Sequence, residues 1–171
     1  MASERRIRIQ QIEQQAEGYL ELGMSQQALD VLARLGNSDQ YTPKGLYLWG
    51  EALRNLGRYQ EALVPLERAA QASPENIHIR LALGWCHKRN SQLDLAIQDI
   101  RTALRTEPSE SLLHYNLACY LSLAGEKKPA LMHLALALRM DSHYRELIDS
   151  EPDFDPLRSD PDFQALTNLI V

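Results

Sequence analysis

Residues 43–76 read PKGLYLWGEALRNLGRYQEALVPLERAAQASPEN. Two apolar runs flank one glycine, and that arrangement decides the fold. From Pro43 to Leu56 apolar side chains fall at Leu46, Tyr47, Leu48, Trp49 and Leu53. From Tyr59 to Ala72 they fall at Tyr59, Ala62, Leu63, Leu66, Ala69 and Ala70, the spacing of one helix face. Gly57, between the runs, permits the left-handed conformation that ends the first helix. Thr42 followed by Pro43 reads as an N-cap and a first helical residue. Pro74 stops the second helix. The stretch predicts a helix–turn–helix.

The unit recurs on both sides at a constant spacing. Ala28, Ala62, Ala96 and Ala130 stand 34 residues apart each time. In the same register come Ala16, Gly50, Gly84 and Ala118, then Leu32, Leu66, Ile100 and Leu134. Gly23, Gly57, Ser91 and Gly125 take the turn position. The units run 9–42, 43–76, 77–110 and 111–144, without insertions. Fixed self-similarity of this kind marks a stacked repeat array. Small residues at the crossing let two helix backbones approach, and the aliphatics fill the space beside them. No unit buries both of its faces alone, so stability comes from stacking neighbours.

Bulk properties narrow the function. The 171 residues and 44% hydrophobic content support a folded core. A net charge of −5 opposes nucleic acid as a partner, since tracking phosphates wants a basic face. No apolar run approaches the roughly 20 residues of a membrane span, so no membrane is expected. The first eight residues carry charge without an apolar run behind them, unlike a secretory signal. The two cysteines, Cys86 and Cys119, make neither a disulfide framework nor a metal spacing. A cytoplasmic location is expected.

Period, helix pairing and residue pattern together resemble the tetratricopeptide repeat (TPR). The second unit carries the pattern at Gly50, Gly57, Tyr59, Ala62, Leu66, Ala69 and Pro74. The third carries it at Gly84, Ala96, Ile100, Ala103 and Pro108, and the fourth at Ala118, Gly125, Ala130, Leu134 and Ala137. The first keeps Ala16, Gly23 and Ala28 but has Leu35 and Gln40 at its last two places. The resemblance implies an all-α, right-handed α-solenoid forming one domain over the whole chain. Two polar residues, Arg80 and His114, fall at a place the family usually buries, and are expected partly exposed at helix starts. Pro65 falls inside a trailing helix and is expected as a tolerated bend on the outer surface.

After residue 144 the period fails. Residues 145–171 are read as a capping tail, since an array needs pieces that cover its open end. Leu147, Ile148, Phe154, Leu157 and Phe163 are the expected covering residues. Asp160 is read as N-cap of a last helix with Pro161 first, its apolar stripe given by Phe163, Leu166, Leu169 and Ile170. The acids Asp149, Glu151, Asp153, Asp155, Asp160 and Asp162 invite a calcium-loop reading. That loop needs glycine at its sixth place, where Phe154 stands if Asp149 leads. Capping and solvated loop acids are expected instead, with no metal.

The chain carries none of the nucleophile-elbow, phosphate-cradling or zinc-protease motifs. His114 and Cys119 are near in sequence but have no orienting partner. The expectation is a non-enzyme without cofactors, one whose function is protein–protein interaction. By the resemblance, the first helix of each unit lines a concave groove, presenting Tyr47, Glu51 and Arg54, then His78, Leu81, Trp85, Lys88 and Arg89, then Leu112, Tyr115 and Cys119. Aromatic residues with arginine are the types that dominate interfaces. A protein or peptide with apolar anchors, flanked by a basic and an acidic group, suits this wall. Trp85 has two readings, exposed in the groove or packed against Leu112 and Tyr115. The clamp that TPR proteins use for heat-shock chaperone carboxylates does not assemble. One register places Tyr47, Glu51, Ala82, Leu112 and Asn116 there, and the other Glu13, Glu17, Leu48, His78 and Ala82. The expected role is an adaptor, scaffold or chaperone-like module. A secretion-type chaperone and a self-assembling structural subunit stand as alternatives, leaving homo-oligomerisation open.

Overall fold

Gly23, Gly57, Ser91 and Gly125 take φ of +71°, +73°, +61° and +75°. Each ends one helix and turns the chain into the next, so the left-handed turn recurs where the sequence places its turn residue. Ser91 does so with a Cβ, a conformation that costs an L-residue roughly 1–2 kcal/mol. The structure is a computed structural model describing residues 2–36 and 41–168. Gln40, Leu169 and Ile170, named above, lie outside the described residues. Among the described residues every regular element is helical.

The chain divides into two compact units, Met1–Ser91 and Gln92–Val171. The first holds α1 (Ala2–Glu21), α2 (Ser25–Leu32), a 3-10 turn (Ala33–Leu35), α3 (Pro43–Asn55), α4 (Tyr59–Ala72) and α5 (Ile77–Arg89). Helix α1 packs on α2 and α3, and α3 packs on α4 and α5. The crossings use the small residues. Ala16, Ala28 and Ala62 are fully buried. A Cβ built on Gly50 would sit 2.4 Å from Leu66 Cγ, so α3 and α4 meet at a distance only glycine permits there. Thr42 caps α3 by accepting from the Gly45 amide at 3.0 Å. Its hydroxyl donates to the buried carboxylate of Glu13, which ties α1 to the start of α3. Asn76 caps α5 by accepting from the His78 and Ile79 amides.

The second unit holds α6 (Leu93–Thr106), α7 (Ser111–Leu123), α8 (Lys127–Met140), α9 (Tyr144–Ile148), a 3-10 helix (Pro152–Leu157) and α10 (Pro161–Thr167). Helix α7 is its centre, packed by α6, α8 and the 3-10 helix, while α10 rests on α8. Leu113, Leu117 and Leu121 of α7 are buried, as are Ala130 and Leu134 of α8. In the tail Ile148, Phe154, Leu157 and Phe163 are buried, while Leu147 stays 42% exposed. Asp160 caps α10, accepting from the Asp162 and Phe163 amides.

Two placements differ from the sequence reading. His114 is buried, because its ring is bonded on both sides within the second unit. Pro65 is buried too, within an α4 that runs through it from Tyr59 to Ala72. Its ring lines a cavity of about 230 Å³ with Tyr41, Leu46 and Trp49.

Candidate functional site

Helices α3 and α5 are the leading helices of their pairs, and α3 packs on α5 within the first unit. Tyr47, Glu51 and Arg54 follow one another at helical spacing on α3. His78, Leu81, Trp85 and Lys88 do so on α5.

The α3 set is internally matched. Arg54 donates twice to the Glu51 carboxylate, at 2.8 Å from Nε and 2.8 Å from the terminal nitrogen. Both side chains are mostly screened from water, with 28% and 17% of their surface exposed. This bidentate pair raises the Arg54 pKa and leaves no net charge at that point of the wall. Tyr47 is half-buried. Burial, and after it the Glu51 carboxylate, push its phenol up to about 12, so it stays a hydrogen-bond donor at neutral pH. Next to it a cavity of about 360 Å³ is lined by Pro43, Lys44, Tyr47, Ser73, Asn76 and Ile79. Lys44 itself is taken by Glu17 of α1 at 2.7 Å.

The α5 set is less uniform. Trp85 is 37% exposed, a large apolar ring at the surface of the first unit. The Lys88 ammonium lies 4.8 Å from the centre of that ring, a cation–π contact. Leu81 is half-buried and His78 is exposed. Arg89 turns the other way and lies 5.1 Å over the ring of Tyr59 on α4. Cys86, on the same helix, is fully buried, and burial pushes its thiol up to about 11, so it is an unreactive core group.

In the second unit the three named residues of α7 separate. Leu112 is 38% exposed, whereas Tyr115 and Cys119 are buried. The Tyr115 ring stacks on Tyr144 at 4.6 Å and meets Phe154 edge-on at 5.7 Å. The tail has therefore landed on the face of α7 that the repeat pattern assigns to the groove. Arg158 holds the tail's own turns together by donating to the Ile148 and Glu151 carbonyls. The tail carboxylates are also engaged. Asp160 and Asp162 close on Lys127 at 2.6 and 2.9 Å, Asp155 on Arg158 at 2.7 Å, and Glu151 caps the 3-10 helix. Among the described residues no three His, Cys, Asp or Glu side chains converge as a metal site. No described helix is long and apolar enough to cross a membrane.

The sequence reading did not anticipate the Arg89–Tyr59 stacking, which joins α5 to α4 through a long side chain; only the helical register of both partners would have revealed it.

Known proteins match this description. A family model for the tetratricopeptide repeat covers residues 53–118. The TPR repeat-containing thioredoxin TTL4 of Arabidopsis thaliana is 31% identical over 88 residues, which is 52% of this chain. The chain spans about an eighth of that protein, 13% of its length. Among solved structures a MamA double mutant superposes with a TM-score of 0.76 at 20% identity, over 94% of this chain and 90% of the other. YrrB, described as a TPR protein with an unusual peptide-binding site, superposes with a TM-score of 0.70 at 20% identity, over 79% and 70%. At these identities the structures share the fold with this chain.

Proposed function

We propose that this chain, a tetratricopeptide-repeat protein of all-α solenoid class, is an adaptor, scaffold or chaperone-like module that holds a peptide or helix against the leading helices of its first unit. The fold itself supports a protein–protein interaction module. The finer reading is carried by Trp85. Trp85 is more than one-third exposed on this wall, with the Lys88 ammonium over its face, while Arg54 and Lys44 are paired with carboxylates. Tryptophan is among the residues that most often dominate a binding energy.

The partner's chemistry follows from that surface. Arg54 and Glu51 neutralise each other, as do Lys44 and Glu17, so the wall offers few unmatched charges. An apolar side chain placed on Trp85 suits it, and the Tyr47 hydroxyl beside the 360 Å³ cavity supplies a donor. No catalysis is assigned. The two buried cysteines accord with a cytoplasmic site of action. A net charge of −5 disfavours nucleic acid as the ligand.

Photo-crosslinking tests the reading. A photoreactive side chain at the exposed His78 position of α5 is expected to capture a partner protein in cells. The same group at Val64, 63% exposed on the trailing helix α4, is expected to capture none of it. Capture at 64 without capture at 78 would move the interaction surface to the trailing helices. Adducts of twice the chain's own mass would identify the partner as a second copy and favour self-assembly.

A further inference from the structure

His114 and His133 meet in the interior of the second unit and serve no role in the surface described above. His114 lies in the first turn of α7 and is buried, and His133 is half-buried on α8. Their Nδ1 atoms are 2.9 Å apart. The ring planes differ by 25°, with centroids 5.1 Å apart. On its far side, His114 Nε2 lies 3.0 Å from the Pro108 carbonyl oxygen.

The two ring-nitrogen contacts fix the protons. A carbonyl only accepts, so His114 Nε2 carries hydrogen and donates to Pro108. In a neutral ring its Nδ1 is then bare and accepts. His133 must supply the hydrogen between the rings from its own Nδ1, leaving its Nε2 bare. One added proton goes to that Nε2 and leaves the N–H···N bond in place. A second goes to His114 Nδ1, and two N–H groups then face each other across 2.9 Å. We propose that this pair is an acid-sensitive latch between α7 and α8, closed while at most one extra proton is present and opened when both rings are charged.

The surroundings oppose charging. Burial is the main cause that lowers the His133 pKa, followed by His114 and by Arg101 of α6. Arg101 is 3.9 Å from Glu126, which offsets only part of its effect. Among the other charged groups on the packed elements, Asp99 of α6 is buried and engaged in a contact of its own. Arg105 of α6 bonds Thr102, Glu151 and Asp153 of the tail act on Tyr115, and Asp160 and Asp162 close on Lys127. Because the folded state holds His133 below the ordinary value of 6.5, its contribution to stability is complete above that value. It is lost as pH falls through the folded pKa.

Nitrogen-15 NMR of the histidine rings in the intact chain tests this directly. At neutral pH His114 should be the Nε2–H tautomer and His133 the Nδ1–H tautomer. On acidification His133 should titrate below the ordinary histidine value. His133→Asn keeps an amide donor near the Nδ1 position and removes the titration. The melting temperature of this variant should therefore fall less than wild type's between about pH 7.5 and 5. The latch is overturned if His114 is the Nδ1–H tautomer, if His133 titrates at or above the ordinary value, or if wild type and variant lose the same melting temperature. The NMR arm needs no variant, so it decides the matter even if His133→Asn does not fold.

Discussion

Phe154→Ala is expected to cost about 3–5 kcal/mol of folding stability, the largest effect of any single truncation in the tail. Phe154 is fully buried and contacts two aromatic rings. It meets Tyr115 at 5.7 Å and Phe163 at 5.6 Å, and Tyr115 in turn stacks on Tyr144. Removing it empties the contact between the 3-10 helix and α7. The vacated face would also expose Tyr115, whose phenol is held well above its usual range chiefly by burial. Thermal unfolding should show a drop of roughly 6–20 °C, taking about 2–4 °C per kcal/mol for a chain of this size. Leu147→Ala, at a tail residue 42% exposed, is the control and should change little. Equal effects from the two would mean that the tail is not held by its aromatic cluster.

Leu66→Ala should cost about 2–5 kcal/mol. Leu66 is fully buried on α4 and sits directly over Gly50 of α3, where an added Cβ would come within 2.4 Å of it. The same contact predicts a coupling. Gly50→Ala alone should destabilise by about 1–3 kcal/mol through overpacking. In the Leu66→Ala background that methyl has space to enter, so the second substitution should cost less than it does alone, or recover stability. Chemical denaturation of the four proteins of this cycle measures the difference. Strict additivity would show that α3 and α4 do not meet at Gly50.

These two predictions differ in how far the sequence foreshadows them. The Gly50–Leu66 contact is written in the 34-residue period, because a close crossing demands a small residue at a fixed place in each pair. The left-handed turns at Gly23, Gly57 and Gly125 are legible for the same reason, since backbone conformation selects the residue. Ser91 is legible only through its neighbours in the period. The landing place of Phe154 is another matter. The tail reads as apolar and cap-like, but its contact with Tyr115 depends on how the irregular link from Asp149 to Asp155 folds, and no periodicity governs that. Residues of α7 assigned to a groove therefore lie beneath the chain's own tail.

Side-chain choices between helices were equally hidden. Arg89 could extend along α5 or fold onto Tyr59, and the spacing on α5 does not distinguish them. His114 occupies a place that reads as partly exposed for a polar residue. It is buried because a second histidine nineteen positions later accepts its company. Pro65 read as a surface bend because of its missing amide, while its apolar ring was able to join the wall of a cavity with Tyr41 and Trp49. Local pattern fixes the helices and their pairing. Contacts made by long or paired side chains follow only from the assembled unit.

Calorimetric titration of Trp85→Ala with the partner captured at position 78 tests the central claim most directly. Truncating a central tryptophan anchor removes about 2 kcal/mol or more of binding energy, about a thirtyfold loss of affinity. Since Trp85 is more than one-third exposed, the variant's melting temperature should fall less than that of Leu66→Ala. A thirtyfold weaker complex formed by a well-folded variant is the result predicted. An affinity equal to wild type would contradict recognition by the leading helices of the first unit.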